Sequence, residues 1–379
     1  MIEITSGRVL TASGWSDQSL FISDGIFTAP AAASARLDAS GLLVLPGMID
    51  IHGDAFERQI MPRPNVAFDL GLALRDTDQQ LIANGITTAY HGVTSSWEPG
   101  LRRLENARCL ALMIADLRGR TACDMRFHLR HEAFNLDGEG ETLDWIEEGL
   151  VDAFAFNDHM RGIVLGKPIK ASKKRDMIAR SGLSESEFME LIERTLAREN
   201  EVPGSLGRLA EAARRKGIPL LSHDDRHQSD LDFFDQLGCS ISEFPTEVDV
   251  AEKAAQRGKD IVFGAPNVIR GGSHTGCPAA MDMVERQFCN ILASDYYYPA
   301  LLHAPFRLSR DKGIELGQAW DLVSRNPARA LGLADRGTIE NGKRADLLLV
   351  EQCEDGPRLV ATIAYGEIVW MSDWKILKA

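Results

Sequence analysis

The chain has 379 residues, 44% hydrophobic and 26% charged, with 42 lysines and arginines against 55 acids and a net charge of −13. A chain of this length buries roughly three quarters of its unfolded surface, so neither disulfides nor a metal is needed merely to fold it. The acidic balance excludes general nucleic-acid binding, which needs a basic face, and on its face argues against a polyanionic ligand.

The N-terminal stretch MIEITSGRVLTASGW lacks a basic segment followed by an apolar core, so no signal peptide is expected. No run approaches 18 consecutive apolar residues, so neither a helical membrane span nor a membrane partner is expected. Residues 1–45 read as short strands and turns, as in ITSGRVLT and SLFISDGIF. From there one unit recurs: a short apolar or β-branched run, a polar loop, then a helical pattern. The expected strands are Ile49–Asp54, Ile86–Gly92, Met125–Glu132, Ala153–His159, Ile218–Asp224, Cys239–Phe244, Ile261–Pro266 and Asn290–Asp295. Helical patterns such as Leu101–Leu117 and Leu206–Lys216 lie between them. Several stop before glycine, as in RRKGIPL and AQRGKDI, where the glycine caps the helix and releases the next strand. Eight strands alternating with helices predict an α/β fold, a (β/α)8 TIM barrel over 46–336. The rival, a doubly wound sheet, lacks its Gly-rich turn after the first strand. Residues 337–379 return to strands, in RADLLLV and RLVATIAYGEIVW. Neither end is long enough for a stable sheet alone, so 1–45 and 337–379 together are expected to form one small β-sandwich.

Ionisable residues collect where these strands end. In a barrel the carboxyl ends of the strands converge on the active site. The first strand ends His52-Gly53-Asp54, and residues two apart on a strand point to one side, so one metal can meet both. The third ends His131-Glu132, the fourth Asp158-His159, the fifth His223-Asp224-Asp225, and the eighth Asp295. Imidazoles with carboxylates suit zinc, manganese or iron. Because 128, 130 and 132 share a face, Glu132 is expected to point inward and His131 to pack away from it. Asp224 and Asp225 are candidates to orient a metal-binding histidine. The six cysteines are scattered, with no CxxC pair, and read as reduced thiols of a cytoplasmic protein.

These residues resemble the amidohydrolase superfamily, in which an HxH or HxD opens the barrel and an aspartate closes it on the eighth strand. HGDAFERQIMPRP, LRHE, SHDD, GAPNVIRGGSHTG and RNPARALGLADRG look like its phosphonate-metabolism diphosphatases, from about residue 40 onward. The resemblance implies hydrolysis of α-D-ribose 1-methylphosphonate 5-triphosphate between the α and β phosphorus atoms, releasing pyrophosphate. It implies two divalent metals (Zn, Mn or Fe) held by His52, Asp54, Glu132, His159, His223 and Asp295. Asp295, with His223, would serve catalysis by taking a proton from the attacking water.

A triphosphate needs cations. Arg270 and His274 lie in the stretch GAPNVIRGGSHTG, expected to be a Gly-rich loop whose N–H groups approach phosphate. Arg63 stands between two prolines after the HxD. Residues 161–180 hold seven basic side chains against one acid, including Lys167, and have room to form a lid. The turn NDHMRGIVLGKP after the fourth strand departs from the PGQ-type turn of the family. That leaves a second expectation open, hydrolysis of a C–N bond in a cyclic amide, amidine or N-acyl compound. A homodimer is the expected assembly.

Overall fold

The computed structural model describes residues 1–63, 66–100, 102–158, 160, 164, 171–273 and 276–378, apart from the side chains of 171–173, 176 and 180. Eight strands form one sheet in sequential order: Met48–Gly53, Ile86–Ser95, Asp124–Glu132, Ala153–Asn157, Leu220–His223, Ile241–Glu243, Asp260–Gly264 and Ile291–Ala293. The eighth returns to the first through a parallel bridge between Asp295 and Gly53. Asp295 N–H donates to the His52 carbonyl (3.0 Å), and Asp54 N–H to the Asp295 carbonyl (2.9 Å). This is the expected (β/α)8 barrel. The first, second and fourth strands are buried along their whole length, as strands covered on both faces must be.

Two strand boundaries move for a local reason. The fifth strand begins at Leu220, because Pro219 has no N–H to give a ladder. The seventh stops at Gly264, because Pro266 opens a helix, Ala265–Arg270. The stretch GAPNVIRGG is therefore a short helix with a left-handed Gly271 cap, not a Gly-rich loop. Gly271 and Gly272 donate their N–H groups back to the Asn267 carbonyl, each at 3.1 Å. Those two groups are used up in ending the helix and do not form the expected phosphate cradle.

The chain divides into two compact units. One comprises Met1–Tyr90, Leu117–Met125 and Asp260–Ala379. It contains two further sheets drawn from both chain ends. A six-stranded sheet runs Glu367–Met371, Gly356–Ala364, Leu347–Cys353, Leu42–Pro46, Arg8–Thr11, Gly14–Ser16. A five-stranded sheet runs Leu377–Lys378, Ala35–Asp38, Ile2–Thr5, Leu20–Ser23, Ile26–Thr28. Ile4, Ile22, Phe27 and Leu37 from the second share one core with Val44, Leu347 and Leu349 of the first. Strands this short are stable only when each sheet buries an apolar face against the other. The same unit holds a buried ionic network. Asp124 accepts from Arg336 Nη1 at 2.5 Å and from Arg344 Nη1 at 3.4 Å, and Thr88 Oγ1 accepts from both arginines. Arg344 also donates to Asp346.

The other unit comprises His91–Asp116 and Arg126–Lys259. Its helix Val202–Arg215 starts one turn before the apolar pattern, since Pro203 suits a first helical turn. Strand alternation is visible here. His131 stacks on Phe154 (5.9 Å) and Phe156 on Phe234 of the helix Gln228–Leu237 (6.1 Å), so this face looks toward helices. His128, Arg130 and Glu132 occupy the opposite, inner face. Among the described residues no helix is long and apolar enough to cross a membrane.

Candidate metal centre

In the first unit, the end of the first barrel strand is built around Asp50. Its carboxylate accepts the Ser294 backbone N–H (2.9 Å), the Ser294 hydroxyl and the His52 N–H (3.4 Å). Full burial nevertheless raises it to about 6, the hydrogen bonds opposing. Gly53 is required beside it, because a Cβ there would come within 2.7 Å of Asp50 Oδ2. His52 is buried, and Asp54 and Asp295 are half-buried at the strand ends. Asp295 sits at φ +53°, a left-handed conformation that aspartate tolerates better than most residues.

In the second unit, His128 Nε2 lies 3.8 Å from Glu243 Oε2, both side chains wholly buried. They end on the inner faces of the third and sixth strands. Glu132 is buried on the same strand face as His128. Arg130 Nη2 lies 3.1 Å from His223 Nε2. A guanidinium can only donate, so His223 Nε2 accepts and the ring proton sits on Nδ1, 3.4 Å from Asp224 Oδ1. Asp224 is thus the carboxylate beside the His223 ring. Asp225 does something else: Oδ2 accepts the hydroxyls of Ser222 and Ser242, tying the fifth strand to the sixth. Burial raises the pKa of Asp225 against those two bonds. Asp224 and Phe244, each following a strand, stand at φ +57° and +53°. Backbone strain of this kind gathers at functional sites. The Phe244 ring packs edge-on against His223 at 5.4 Å. A cavity of about 250 Å³ opens beside His223 and Asp224, walled by Phe134, Leu206, Phe233 and Phe234.

One group of side chains among the described residues has the arrangement a metal requires. His52, His128 and Glu243 each bring one ligand atom within 4.8 Å of the other two. Two imidazoles and a carboxylate, all buried, form a donor set suited to a divalent transition metal. Of the expected ligands, His52 belongs to this group. Asp54, Glu132, His223 and Asp295 stand at the ends of barrel strands. His159, Lys167 and His274 lie outside the described residues. His131 packs away from the inner face, as expected, and burial lowers it to about 4. Among the expected substrate cations, Arg63 is exposed in a bridge to Val66. Arg270 ends its short helix exposed, 3.4 Å from the Tyr296 hydroxyl. In the 161–180 stretch, Lys174 pairs with Glu185 at 2.6 Å.

Sequence reasoning passed over His128 and Arg130 although the signal was present. The alternation that turns Glu132 inward turns 130 and 128 inward as well. Glu243 lies near the end of the sixth expected strand and could be read as touching the pocket, but nothing in its neighbourhood marks it as a metal ligand, and Asn157 carries no signal at all.

A family model described as Amidohydrolase family matches residues 43–369. The chain belongs to this family, whose members are in general metal-dependent hydrolases. Among curated proteins, it is 33% identical over 345 residues to the alpha-D-ribose 1-methylphosphonate 5-triphosphate diphosphatase of Escherichia coli (strain K12). That match covers 88% of this chain and 91% of the relative. Among solved structures, a crystal structure of an amidohydrolase superposes with a TM-score of 0.66 at 13% identity, covering 98% of this chain and 99% of that one. The 5-methylcytosine deaminase of Klebsiella pneumoniae gives 0.62 at 16% identity, with 98% of each chain covered. These two likenesses concern the fold.

Proposed function

We propose that this hydrolase cleaves a phosphoanhydride, converting α-D-ribose 1-methylphosphonate 5-triphosphate to the 5-phosphate and pyrophosphate. The observation that carries this reading is the 33% identity to the Escherichia coli diphosphatase over 91% of its length. His52, His128 and Glu243 would hold a divalent metal, and Asp54, Glu132, His159 and Asp295 are the further ligands we propose if there are two. When bound, such an ion makes water acidic enough to attack near neutral pH and offsets charge on the phosphoryl group. The protein's own part is positioning and proton transfer. Asp295 accepts the proton of the attacking water as the bridging P–O bond breaks and pyrophosphate departs. Asp224 holds the His223 ring in one tautomer. Arg63, Lys167, Arg270 and His274 are the cations that the sequence offers to the outer phosphoryl groups.

The two terminal segments, 1–45 and 337–379, would form an accessory domain beside the barrel of 46–336. We place the enzyme in the cytoplasm as a homodimer, where its six cysteines stay reduced.

The test is direct. Purified enzyme loaded with zinc or manganese is incubated with the ribose triphosphate, and pyrophosphate is measured. In parallel it is offered dihydropyrimidine and N-acyl amides, and C–N cleavage is followed. Pyrophosphate release supports the reading. Amide cleavage without pyrophosphate release overturns it and leaves the C–N hydrolase.

A further inference from the structure

The inner face of the second unit carries a buried cation and a buried amide that the metal centre does not account for. Arg130 is only 6% exposed, yet among the described residues it makes no ion pair with a carboxylate. Arg130 Nη2 stands 3.1 Å from His223 Nε2, and the Arg130 Nε is buried without a hydrogen-bond partner. A guanidinium taken out of water is costly unless an anion meets it. Asn157 ends the fourth strand, 1% exposed, and both its Oδ1 and Nδ2 are buried without a partner. Phe154 and Phe156 of that strand point to the helices, so alternation turns Ala155 and Asn157 inward with Arg130. In the strand register Arg130 stands opposite Ala155, and Glu132 opposite Asn157. The arginine and the amide are therefore diagonal neighbours on one face, at the strand ends where a barrel binds its substrate.

We propose that Arg130 and Asn157 form a phosphoryl-binding element. The guanidinium fork would take non-bridging oxygens of the substrate's anionic chain, and the Asn157 amide N–H would donate to the same group. His223 contributes by accepting from Nη2, which fixes the fork's direction. The inference rests on the polyphosphate reading above and names the residues that recognise it. It also explains how a chain of net charge −13 can bind a polyanion, since a single buried cation acts in a low dielectric that surface acids do not share.

The experiment is calorimetric titration of inorganic pyrophosphate into the metal-loaded enzyme, for the wild type, Arg130→Gln, Arg130→Lys and Asn157→Leu. Arg130→Gln is expected to weaken binding about tenfold to a hundredfold, the range for hydrogen bonds to charged groups, and Arg130→Lys less. Asn157→Leu is expected to weaken it about tenfold while the melting temperature holds or rises, because an amide without partners has been replaced by an apolar group of similar volume. A purely structural Asn157 would give the opposite pattern, lower melting with unchanged affinity, and would overturn its part. Affinities within twofold of wild type in Arg130→Gln and Asn157→Leu refute the proposal, as does a wild type that binds no pyrophosphate. Should Arg130→Gln not fold, Arg130→Lys and Asn157→Leu decide. If the enzyme proves unable to hydrolyse the triphosphate but the variants still lose pyrophosphate, the anion element stands and the assigned reaction falls.

Discussion

Replacing Asp124 by alanine tests how the first unit is held together. The aspartate stands at the start of the third barrel strand, buried, and accepts from Arg336 (2.5 Å) and Arg344 (3.4 Å). Removing one partner of a buried pair costs about 3–5 kcal/mol, because the remaining charge stays out of water. Two features pull the value to the lower end. Arg336 keeps two bonds to Asp335, at 2.8 and 3.0 Å, although that carboxylate is half in solvent. Arg344 keeps Asp346 and the face of the Tyr365 ring, 4.1 Å away. We therefore expect a loss of about 3 kcal/mol, or roughly 6–12 °C in melting temperature at the usual 2–4 °C per kcal/mol for larger domains. The assay is thermal unfolding followed by near-ultraviolet circular dichroism at fixed metal concentration. Arg336→Met alone should be destabilising too, whereas the double variant should recover part of the loss, since an apolar replacement of a buried pair is often neutral. A fall of less than 2 °C in Asp124→Ala, or strictly additive losses in the double variant, would refute the reasoning.

Three further outcomes are expected. Glu243→Gln keeps the shape of the side chain facing His128 but removes its charge, so metal retained after dialysis, read by elemental analysis, should fall at least tenfold; full retention would remove Glu243 from the ligand set. Asp295→Asn should abolish turnover with melting within a few degrees of wild type, because asparagine also tolerates φ near +53°; measurable turnover would exclude it as the proton acceptor. His91 is buried, and burial lowers its pKa to about 4 from 6.5. The unfolded chain therefore takes up a proton below about pH 6.5 that the folded protein refuses until about pH 4, and stability falls as pH falls through that window. Between pH 7.5 and 5 the single site is worth roughly 2 kcal/mol, and His91→Gln should flatten the pH dependence of unfolding by that much; an unchanged slope would show that His91 titrates normally.

Much of this protein was legible without coordinates because strand and helix patterns are local. Apolar runs of four to ten residues, each closed by a polar loop, are enough to count eight strands, and the count yields the barrel. The chemistry at strand ends follows from the same count, since a barrel gathers those ends. The position of His52, Asp54, Glu132, His223 and Asp295 at strand ends could be read in that way, and so could the packing role of His131, from simple alternation.

Only the tertiary structure decided which of these side chains meet. His128 and Glu243 are 115 positions apart and belong to no shared motif, yet strands three and six turn them onto one another at 3.8 Å. Asp50 gains its hydrogen-bond partner only when Ser294, 244 positions away, closes on it. The GAPNVIRGG stretch shows the converse error. Its glycines suggested an open phosphate loop, but Pro266 starts a helix there and Gly271 ends it, which consumes the N–H groups. The physical reason is the same in each case. Periodicity is set by a residue's immediate neighbours, so sequence alone determines strands, helices and the side each residue faces. Burial, partner and protonation are set by groups brought in from remote strands, and those are decided only when the barrel closes.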